Sequence, residues 1–412
     1  MTPESSALTV DAARQRIADA VVPVDARESV ALVDALGRTL ASDCIAPRDV
    51  PPQANSAMDG FALSLATATL REARVVGTAR AGHPYAGVVA TGECVRIMTG
   101  ALLPEGCDAV VPTEQVDPTT EGIALRDPVR AGQHVRAAGE DLARGSVAIA
   151  KGRRLQPADL GLAASLGITH LDVVRRARVA VFSTGDELRG GDEPSRAGTL
   201  YDSNRHSLMG LLSRLGVDVV DLGIVRDDPA SLAATLDAAC LASPAIDAIV
   251  TSGGVSAGDA DHTRDAFATR GHVGFWKVAI KPGRPMAFGS LRGRHGPVLF
   301  FGLPGNPVAV MVAFEVFVRD ALVLLGGATV EARWTIGART EEPIAKQAGR
   351  TEFLRGIATR GADGWRVRTT GDQGSGILRS MSVANCLIVL EHARGLVAAG
   401  ETVDVWPLRG LD

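Results

Sequence analysis

Apolar positions along the chain change period several times, and the changes divide it into parts. Leu208, Leu211, Leu212 and Leu215 recur at i, i+3, i+4 and i+7, the spacing of one helix face, with Ser203 or Asn204 placed to cap its start and Gly216 just past its end. A second helix is expected from Asp228 as N-cap and Pro229 at the first helical position, and a third from Asn306 and Pro307 in the same roles. The third runs through Leu325, is apolar nearly all round and is expected to be buried. Between these lie short β-branched runs: RVAVFS (178–183), VDVVDLG (217–223), DAIVTS (247–252), FWKVAI (275–280) and PVLFFG (297–302). Strands that alternate with helices predict a mostly parallel sheet covered by helices, an α/β domain over residues 175–327.

The flanking segments read differently. Residues 1–47 and 137–174 carry helical patterns, whereas 48–136 is rich in Gly, Pro and short Val/Ala runs. The two helical parts are expected to meet as one discontinuous domain with a small β-rich domain inserted. After Gly326-Gly327, the stretches RWTIGAR, GWRVRTT, NCLIVLEH and ETVDVWPL are separated by turn residues, which predicts a small C-terminal β barrel or sandwich over 328–412. The fold class is therefore α/β multidomain: a mostly parallel α/β sandwich, a discontinuous helical domain, an inserted small β domain and a C-terminal β barrel.

Composition narrows the function. In 412 residues, 46 % are hydrophobic and 22 % charged, ordinary globular usage that excludes a disordered or collagen-like chain. With 43 basic and 47 acidic residues the formal charge is −4, too balanced for a nucleic-acid groove that works by counterion release. Five scattered cysteines without a C-x-x-C pair indicate neither a zinc site nor a disulfide framework. The start lacks a basic region followed by an apolar run, and the most apolar stretch, Val308 to Val318, is broken by Glu315 and too short to span a bilayer, so a cytoplasmic protein without membrane or nucleic-acid partners is expected. Only four of the 43 basic residues are lysines, Lys151, Lys277, Lys281 and Lys346. Two of them stand four apart, where a compact ammonium is not interchangeable with a guanidinium.

In an open α/β sheet, ligands bind beyond the carboxyl ends of the strands. Here those ends run into Thr184-Gly185-Asp186-Glu187, Ser252-Gly253-Gly254-Val255-Ser256 and Gly302-Leu303-Pro304-Gly305-Asn306-Pro307. Three such loops would converge on one crevice, and successive N–H groups of Gly-rich turns form a nest suited to phosphate. The P-loop and the G-x-G-x-x-G fingerprint are absent, which disfavours a P-loop NTPase or dinucleotide dehydrogenase. Asp202 and Asp228 are explained as helix caps or near-caps, but Glu187, Asp227, Asp259 and Asp261 are not. Carboxylates beside a phosphate repel it unless a hard divalent cation lies between, and Mg²⁺ is usually held by one or two carboxylates plus phosphate oxygens. Lys277 and Lys281, read as one strand, would share a face and clamp an anion.

The motifs NSAMDGFA (55–62), VRIMTGALLPEGCDAVV (95–111), GEDL (139–142), STGDEL (183–188), DSN (202–204), SGGVSAGDAD (252–261), IKPGRP (280–285), LPGNPVAV (303–310) and SGILRSMSVANCLIVL (375–390) resemble the molybdopterin molybdenumtransferase family, known as MoeA and related to the C-terminal domain of gephyrin. The resemblance implies a molybdopterin-binding α/β domain within a four-domain chain, and a homodimer with its active site at the subunit interface. It also implies the reaction, in which molybdate is inserted into adenylylated molybdopterin and AMP is released with Mg²⁺. By motif, Asp59, Thr99, Asp141, Glu187, Asp227 and Asp261 would be catalytic, with Glu187, Asp227 and Asp261 as acidic groups for the metal. Ser252, Gly253, Gly254 and Ser256 would cradle phosphate, and Lys277 and Lys281 would bind anionic substrate. Arg284, Pro304, Asn306, Arg350 and Ser375 would complete the substrate site. Contacts with the adenylyltransferase and with cofactor-accepting enzymes are the implied protein partners. Arg284 departs from the family's usual Lys, keeping the charge while changing its geometry. A molybdopterin adenylyltransferase and a non-catalytic carrier or scaffold are the competing readings, and the NSAMDG and RIMTG segments outside the α/β domain favour the transferase.

Overall fold

The computed structural model describes residues 7–254, 267 and 269–408. The chain forms two compact units: one from its start through Glu28, Gly37–Thr39 and Val174 onward, the other from Ser29–Leu36 and Leu40–Val173.

The first unit is built on a six-stranded sheet in the order Asp218–Val225, Arg178–Thr184, Ala248–Ser252, Gly296–Leu303, Pro285–Gly293 and Gly271–Lys277. The first four strands are parallel, and the last two are added antiparallel. The central strands Arg178–Thr184, Ala248–Ser252 and Gly296–Leu303 are buried on both faces, which is why they read as nearly unbroken apolar runs. Val179, Val181, Ala248, Val250, Leu299 and Phe301 enter one core, whereas Ala180, Phe182, Ile249 and Phe300 enter the other. The alternation is the period of two that the pleat imposes.

Helix Ser203–Leu215 buries Leu208, Leu211 and Leu212 against the first of these cores. Its cap is Asp202 rather than Ser203 or Asn204: the carboxylate accepts the Arg205 N–H at 3.2 Å, and Gly216 closes the helix with φ +74°. Asp228 caps Pro229–Cys240 as expected, accepting from Ala230 and Ser231. Pro307–Ala313 continues through a widened turn, Phe314–Val318, into Arg319–Leu325, with nearly every side chain buried. Glu315, the one charge in its middle, is neutralised by Arg333 at 3.0 Å, and the guanidinium lies 4.7 Å from the centre of the Trp406 ring. Helix Val10–Ala20, capped by Thr9, adds Val10, Ala13 and Ile17 to the same core.

Two strands differ from the sequence expectation. Lys277 ends strand Gly271–Lys277, whereas Lys281 belongs to the two-residue strand Ile280–Lys281, which pairs with Thr351–Glu352. The lysines therefore do not share a face of one strand. The segment between them is fixed by Leu8, whose N–H donates to Lys277 O at 2.9 Å and whose carbonyl accepts from Ala279 N at 2.7 Å. The apolar run FWKVAI was thus two strands interrupted by a third partner. Strand Pro285–Gly293, with two glycines inside, carries no clear alternation and was not anticipated.

The C-terminal strands close into a five-stranded barrel, Thr351–Gly361, Gly364–Thr369, Ile336–Thr340, Thr402–Pro407 and Cys386–Leu390, the last pairing back with the first. Closure removes the open edges that a five-stranded sheet would otherwise expose.

In the second unit a mixed six-stranded sheet runs Ala109–Pro112, Gly60–Leu63, Glu93–Ile97, Glu72–Ala79, Gly122–Leu125 and Val116–Pro118. Helix Pro157–Ser165 packs its Ala163 with Leu40, Leu155, Leu171 and Val173 in a separate core, and short ladders such as Cys44–Ile45 with Val147–Ile149 complete it.

Candidate active site

The three loops that end parallel strands meet in the first unit. A cavity of about 670 Å³ opens between them, walled on one side by Thr184, Gly185 and Glu187, on the floor by Ser252, Gly253 and Gly254, and beyond by Pro304, Gly305 and Asn306. Two further walls come from the turn Lys281–Pro285 and from Gln373, Gly374 and Ser375 of the C-terminal barrel segment. Asp227 also lines it.

The floor is a tight backbone turn. Gly253 and Gly254 have φ of +95° and +66°, the left-handed region where a side chain is strained. A Cβ on Gly253 would come within 2.5 Å of the Thr184 carbonyl oxygen, so only glycine permits this approach of two strand ends. The Gly253 N–H is spent on Leu303 O at 3.0 Å. The hydroxyl of Thr184, itself buried, finds no hydrogen-bond partner among the described residues. A polar atom left so inside a ligand-sized cavity fits a bound polar group.

Asn204 holds the loops together. Its Nδ2 donates to Ser252 Oγ at 2.8 Å and to Gly305 O at 2.6 Å, bridging two strand ends, while its buried Oδ1 has no donor among the described residues. Ser252 Oγ in turn donates to Pro304 O at 3.3 Å. Asn204 and Gln373 were not among the predicted site residues. The DSN motif contained the first, and the second stands two residues before the SGIL motif, so proximity to a motif was the available signal. Asn306 caps the helix at Pro307 without a side-chain hydrogen bond, and the Val308 N–H is taken by Ser375 O at 3.1 Å. That donor is consequently not available to phosphate, contrary to the simple nest expectation.

Glu187 and Asp227 stand exposed on one side of the cavity. A Cβ on Gly185, φ +152°, would lie 2.6 Å from a carboxylate oxygen of Glu187, so glycine there lets Glu187 fold back over its own turn. Lys281 and Arg284 line the same cavity. A second cavity of about 370 Å³ shares Lys281–Arg284 with the first and is lined by Arg350 as well. Lys277, exposed at its strand end, lines neither cavity. Lys346 is buried and spends its ammonium on Arg394 O at 2.6 Å and Gln347 O at 3.3 Å; burial lowers its pKa, with Glu352 opposing and Arg350 adding to the shift.

Asp59 and Thr99 lie in the second unit and are brought together there from 40 residues apart. Thr99 donates to Asp59 Oδ1 from both its N–H and its hydroxyl, each at 2.7 Å, and these bonds hold the exposed Asp59 carboxyl below its ordinary pKa. Asp141, also exposed, sits in the turn whose N–H groups bond Val50 O. Ser256, Asp259 and Asp261 lie outside the described residues.

Comparisons with known proteins agree with one another along the whole chain. Residues 8–167 match the MoeA N-terminal region (domain I and II), residues 180–323 a probable molybdopterin binding domain, and residues 337–408 the MoeA C-terminal region (domain IV). The molybdopterin molybdenumtransferase of Haemophilus influenzae is 39 % identical over 414 residues, covering 98 % of this chain and 99 % of the relative. Molybdopterin molybdenumtransferase 2 of Mycobacterium tuberculosis is 36 % identical over 392 residues, 92 % of this chain and 95 % of that one. Among solved structures, the molybdopterin biosynthesis moeA protein of Pyrococcus horikoshii superposes with a TM-score of 0.83 at 27 % identity, covering 98 % of this chain and 100 % of that chain.

Proposed function

The chain belongs to the MoeA family of molybdopterin molybdenumtransferases, transferases of molybdenum cofactor biosynthesis, and from that premise we propose that its large cavity is where molybdate is inserted into adenylylated molybdopterin and AMP is released. The observation that carries the assignment is the polarity of that cavity: glycine-lined floor, carboxylates Glu187 and Asp227 on one wall, and Lys281 and Arg284 on another. A phosphate-bearing substrate fits the floor made by Ser252, Gly253 and Gly254, with Pro304 and Asn306 beside it. A tetrahedral dianion fits the cationic wall, where Lys281, Arg284 and Arg350 supply N–H donors and Ser375 a hydroxyl. Lys277 remains in the proposal only as a more distant contributor to the positive field. In the second unit, Asp59, with Thr99 fixing one of its oxygens, and Asp141 are proposed to serve the same reaction.

Mg²⁺ is part of the reading. Glu187 and Asp227 are hard oxygen donors, and one or two carboxylates completed by phosphate oxygens and water is the shell this ion usually takes. Among the described residues no cluster of three potential ligands occurs, so the substrate would supply the remaining oxygens. Bound there, the ion would neutralise charge on the departing adenylate. The carboxylates' own work is to hold that charge against the phosphate, and the cationic wall's is to orient the oxyanion. We further propose that the enzyme acts as a cytoplasmic homodimer, with the adenylyltransferase and cofactor-accepting enzymes as neighbours in the pathway. Among the described residues no helix is long and apolar enough to cross a membrane.

The test is AMP release from purified adenylyl-molybdopterin, with and without molybdate and Mg²⁺, with Asp59→Asn and Glu187→Gln alongside. Release that requires both additions and falls in each folded variant is expected. Retained tight binding of the substrate with no release under any condition would replace the transferase by a carrier.

A further inference from the structure

The cationic wall has a buried partner that no motif singled out. Residue 352 stands in register with Lys281 where Ile280–Lys281 runs parallel to Thr351–Glu352, so the backbone ladder itself sets carboxylate and ammonium side by side. The Glu352 side chain is 1 % exposed, whereas those of Lys281 and Arg350 are 42 % and 45 % exposed. Its Oε1 accepts from Arg350 Nε at 2.9 Å, and its Oε2 is ion-paired with Lys281 Nζ at 3.2 Å.

We propose that Glu352 is a positioning residue for the oxyanion substrate, a buried carboxylate that draws Lys281 and Arg350 together from below and leaves their outer donors facing the cavities. The inference rests on the assignment of Lys281 and Arg350 to the oxyanion. Two cations placed side by side repel, and each caps a long flexible side chain that would otherwise spread into water. A carboxylate between them, withdrawn from solvent, cancels that repulsion without competing for the outer face. Among the described residues Oε2 accepts no hydrogen bond of good geometry, so Lys281 is held by charge and its ammonium hydrogens stay able to turn towards a ligand. Arg350 spends only its Nε on Glu352, and its two terminal nitrogens make no hydrogen bond among the described residues. Lys281, Arg350 and Glu352 together carry one net positive charge, and Lys346, buried within electrostatic reach of Glu352 and Arg350, adds to the positive field that attracts a dianion.

The experiment compares Glu352→Gln and Glu352→Asp with the wild-type holoenzyme in AMP release, varying molybdate and adenylyl-molybdopterin separately. Glu352→Gln is expected to raise the KM for molybdate by about tenfold, leaving kcat and the KM for adenylyl-molybdopterin within about threefold. Glu352→Asp restores the charge and is expected to recover at least half of that loss on a logarithmic scale. A fall in kcat with an unchanged KM for molybdate, or equal losses in the two variants, overturns the proposal. If Glu352→Gln does not fold, the bridge is read from its ends: Lys281→Ala, Arg350→Ala and the double variant. Effects on the molybdate KM that multiply independently overturn it, and a double variant milder than the product upholds it, since loss of either cation already unties the other. Should neither single variant alter the molybdate KM, the assignment of the oxyanion to this wall fails instead, an outcome distinct from failure of Glu352 alone.

Discussion

Arg355 offers the most direct check that the C-terminal barrel shapes the cavity. It is fully buried on strand Thr351–Gly361, and its guanidinium donates to Ser380 Oγ at 2.9 Å, Gly374 O at 3.0 Å and Asp372 O at 3.4 Å. Its backbone N–H is taken by Gln373 Oε1 at 2.8 Å. The loop that brings Gln373, Gly374 and Ser375 to the cavity is thus sewn to one buried cation, and burial pulls that guanidinium below its ordinary pKa while Asp372 works in the opposite direction. Arg355→Met keeps an unbranched chain and removes the donors. Two hydrogen bonds of good length to a charged group contribute about 1.5–3 kcal/mol each, and the acceptors left behind lose their partners. The apolar chain of Met returns about 1–2 kcal/mol. The difference is about 3 kcal/mol of local stability, or roughly 100-fold in the opening equilibrium. Hydrogen–deuterium exchange of peptides covering residues 370–376 and 307–313 reads it, since the Val308 N–H is bonded to Ser375 O. Arg355→Lys, with a charge but no planar fork, falls between. Exchange in both peptides within about threefold of wild type would refute the argument, because the loop would then be held by something other than Arg355.

Three other outcomes are expected. Gly253→Ala, forced against the Thr184 carbonyl at a φ of +95°, should weaken adenylyl-molybdopterin binding by at least about tenfold, whereas Gly210→Ala, with open space around its Cβ inside helix Ser203–Leu215, should stabilise by about 0.5–1 kcal/mol in thermal unfolding. Burial pushes the Cys94 and Cys386 thiols up to about 12, and burial with Asp108 beside it does the same for Cys107, so these should resist maleimide at neutral pH until the chain is denatured; rapid labelling of the native protein would contradict the packing. Hydrogen bonds from Ser231, Arg270 and Thr369 hold the carboxyls of Asp228, Asp237 and Glu342 below their ordinary values; because folded values are depressed, the stability they add is present at neutral pH and lost as pH falls through those values, so the melting temperature should be level from about pH 6 to 8 and drop below about pH 4.

Much of the α/β sheet was legible because its strands are apolar on both faces and its helices begin with recognisable caps. Leu208, Leu211 and Leu212 enter the core as their spacing required, and Asp228-Pro229 and Asn306-Pro307 open helices where they stand. What was missed has a common cause, which is pairing between distant segments. FWKVAI reads as one strand, but Leu8 bonds into its far end and splits Lys277 from Lys281. Pro285–Gly293 has little pattern of its own, yet it is fully laddered between two neighbours. The longest barrel strand, Thr351–Gly361, was also passed over, since Glu352, Arg355 and Gly356 interrupt any apolar alternation.

That omission connects the fold to the site. A charged residue within a strand reads as a solvent-facing position unless something in the three-dimensional structure satisfies it; Glu352 is paired with cations, and Arg355 is hydrogen-bonded to neutral oxygens, of segments that reach the cavity. Glu352 meets Lys281 and Arg350, and Arg355 meets the loop of Gly374 and Ser375. Neither charge adds to the apolar core; each costs desolvation that the strand would avoid with a hydrophobic residue of similar size. Their placement is economical only if the geometry they impose on the cationic wall and on the Ser375 loop is needed. The phosphate floor needs no such device, because strand ends and glycine turns position backbone groups by themselves. Side-chain cations on a surface have no comparable rigidity, and two buried charges on one strand supply it. Replacing Glu352 and Arg355 together by Leu and Met should therefore leave adenylyl-molybdopterin binding at the glycine floor within about threefold while molybdate affinity collapses, as measured by isothermal titration of each ligand separately. Equal loss of both affinities would show that the strand supports the whole cavity rather than its cationic wall.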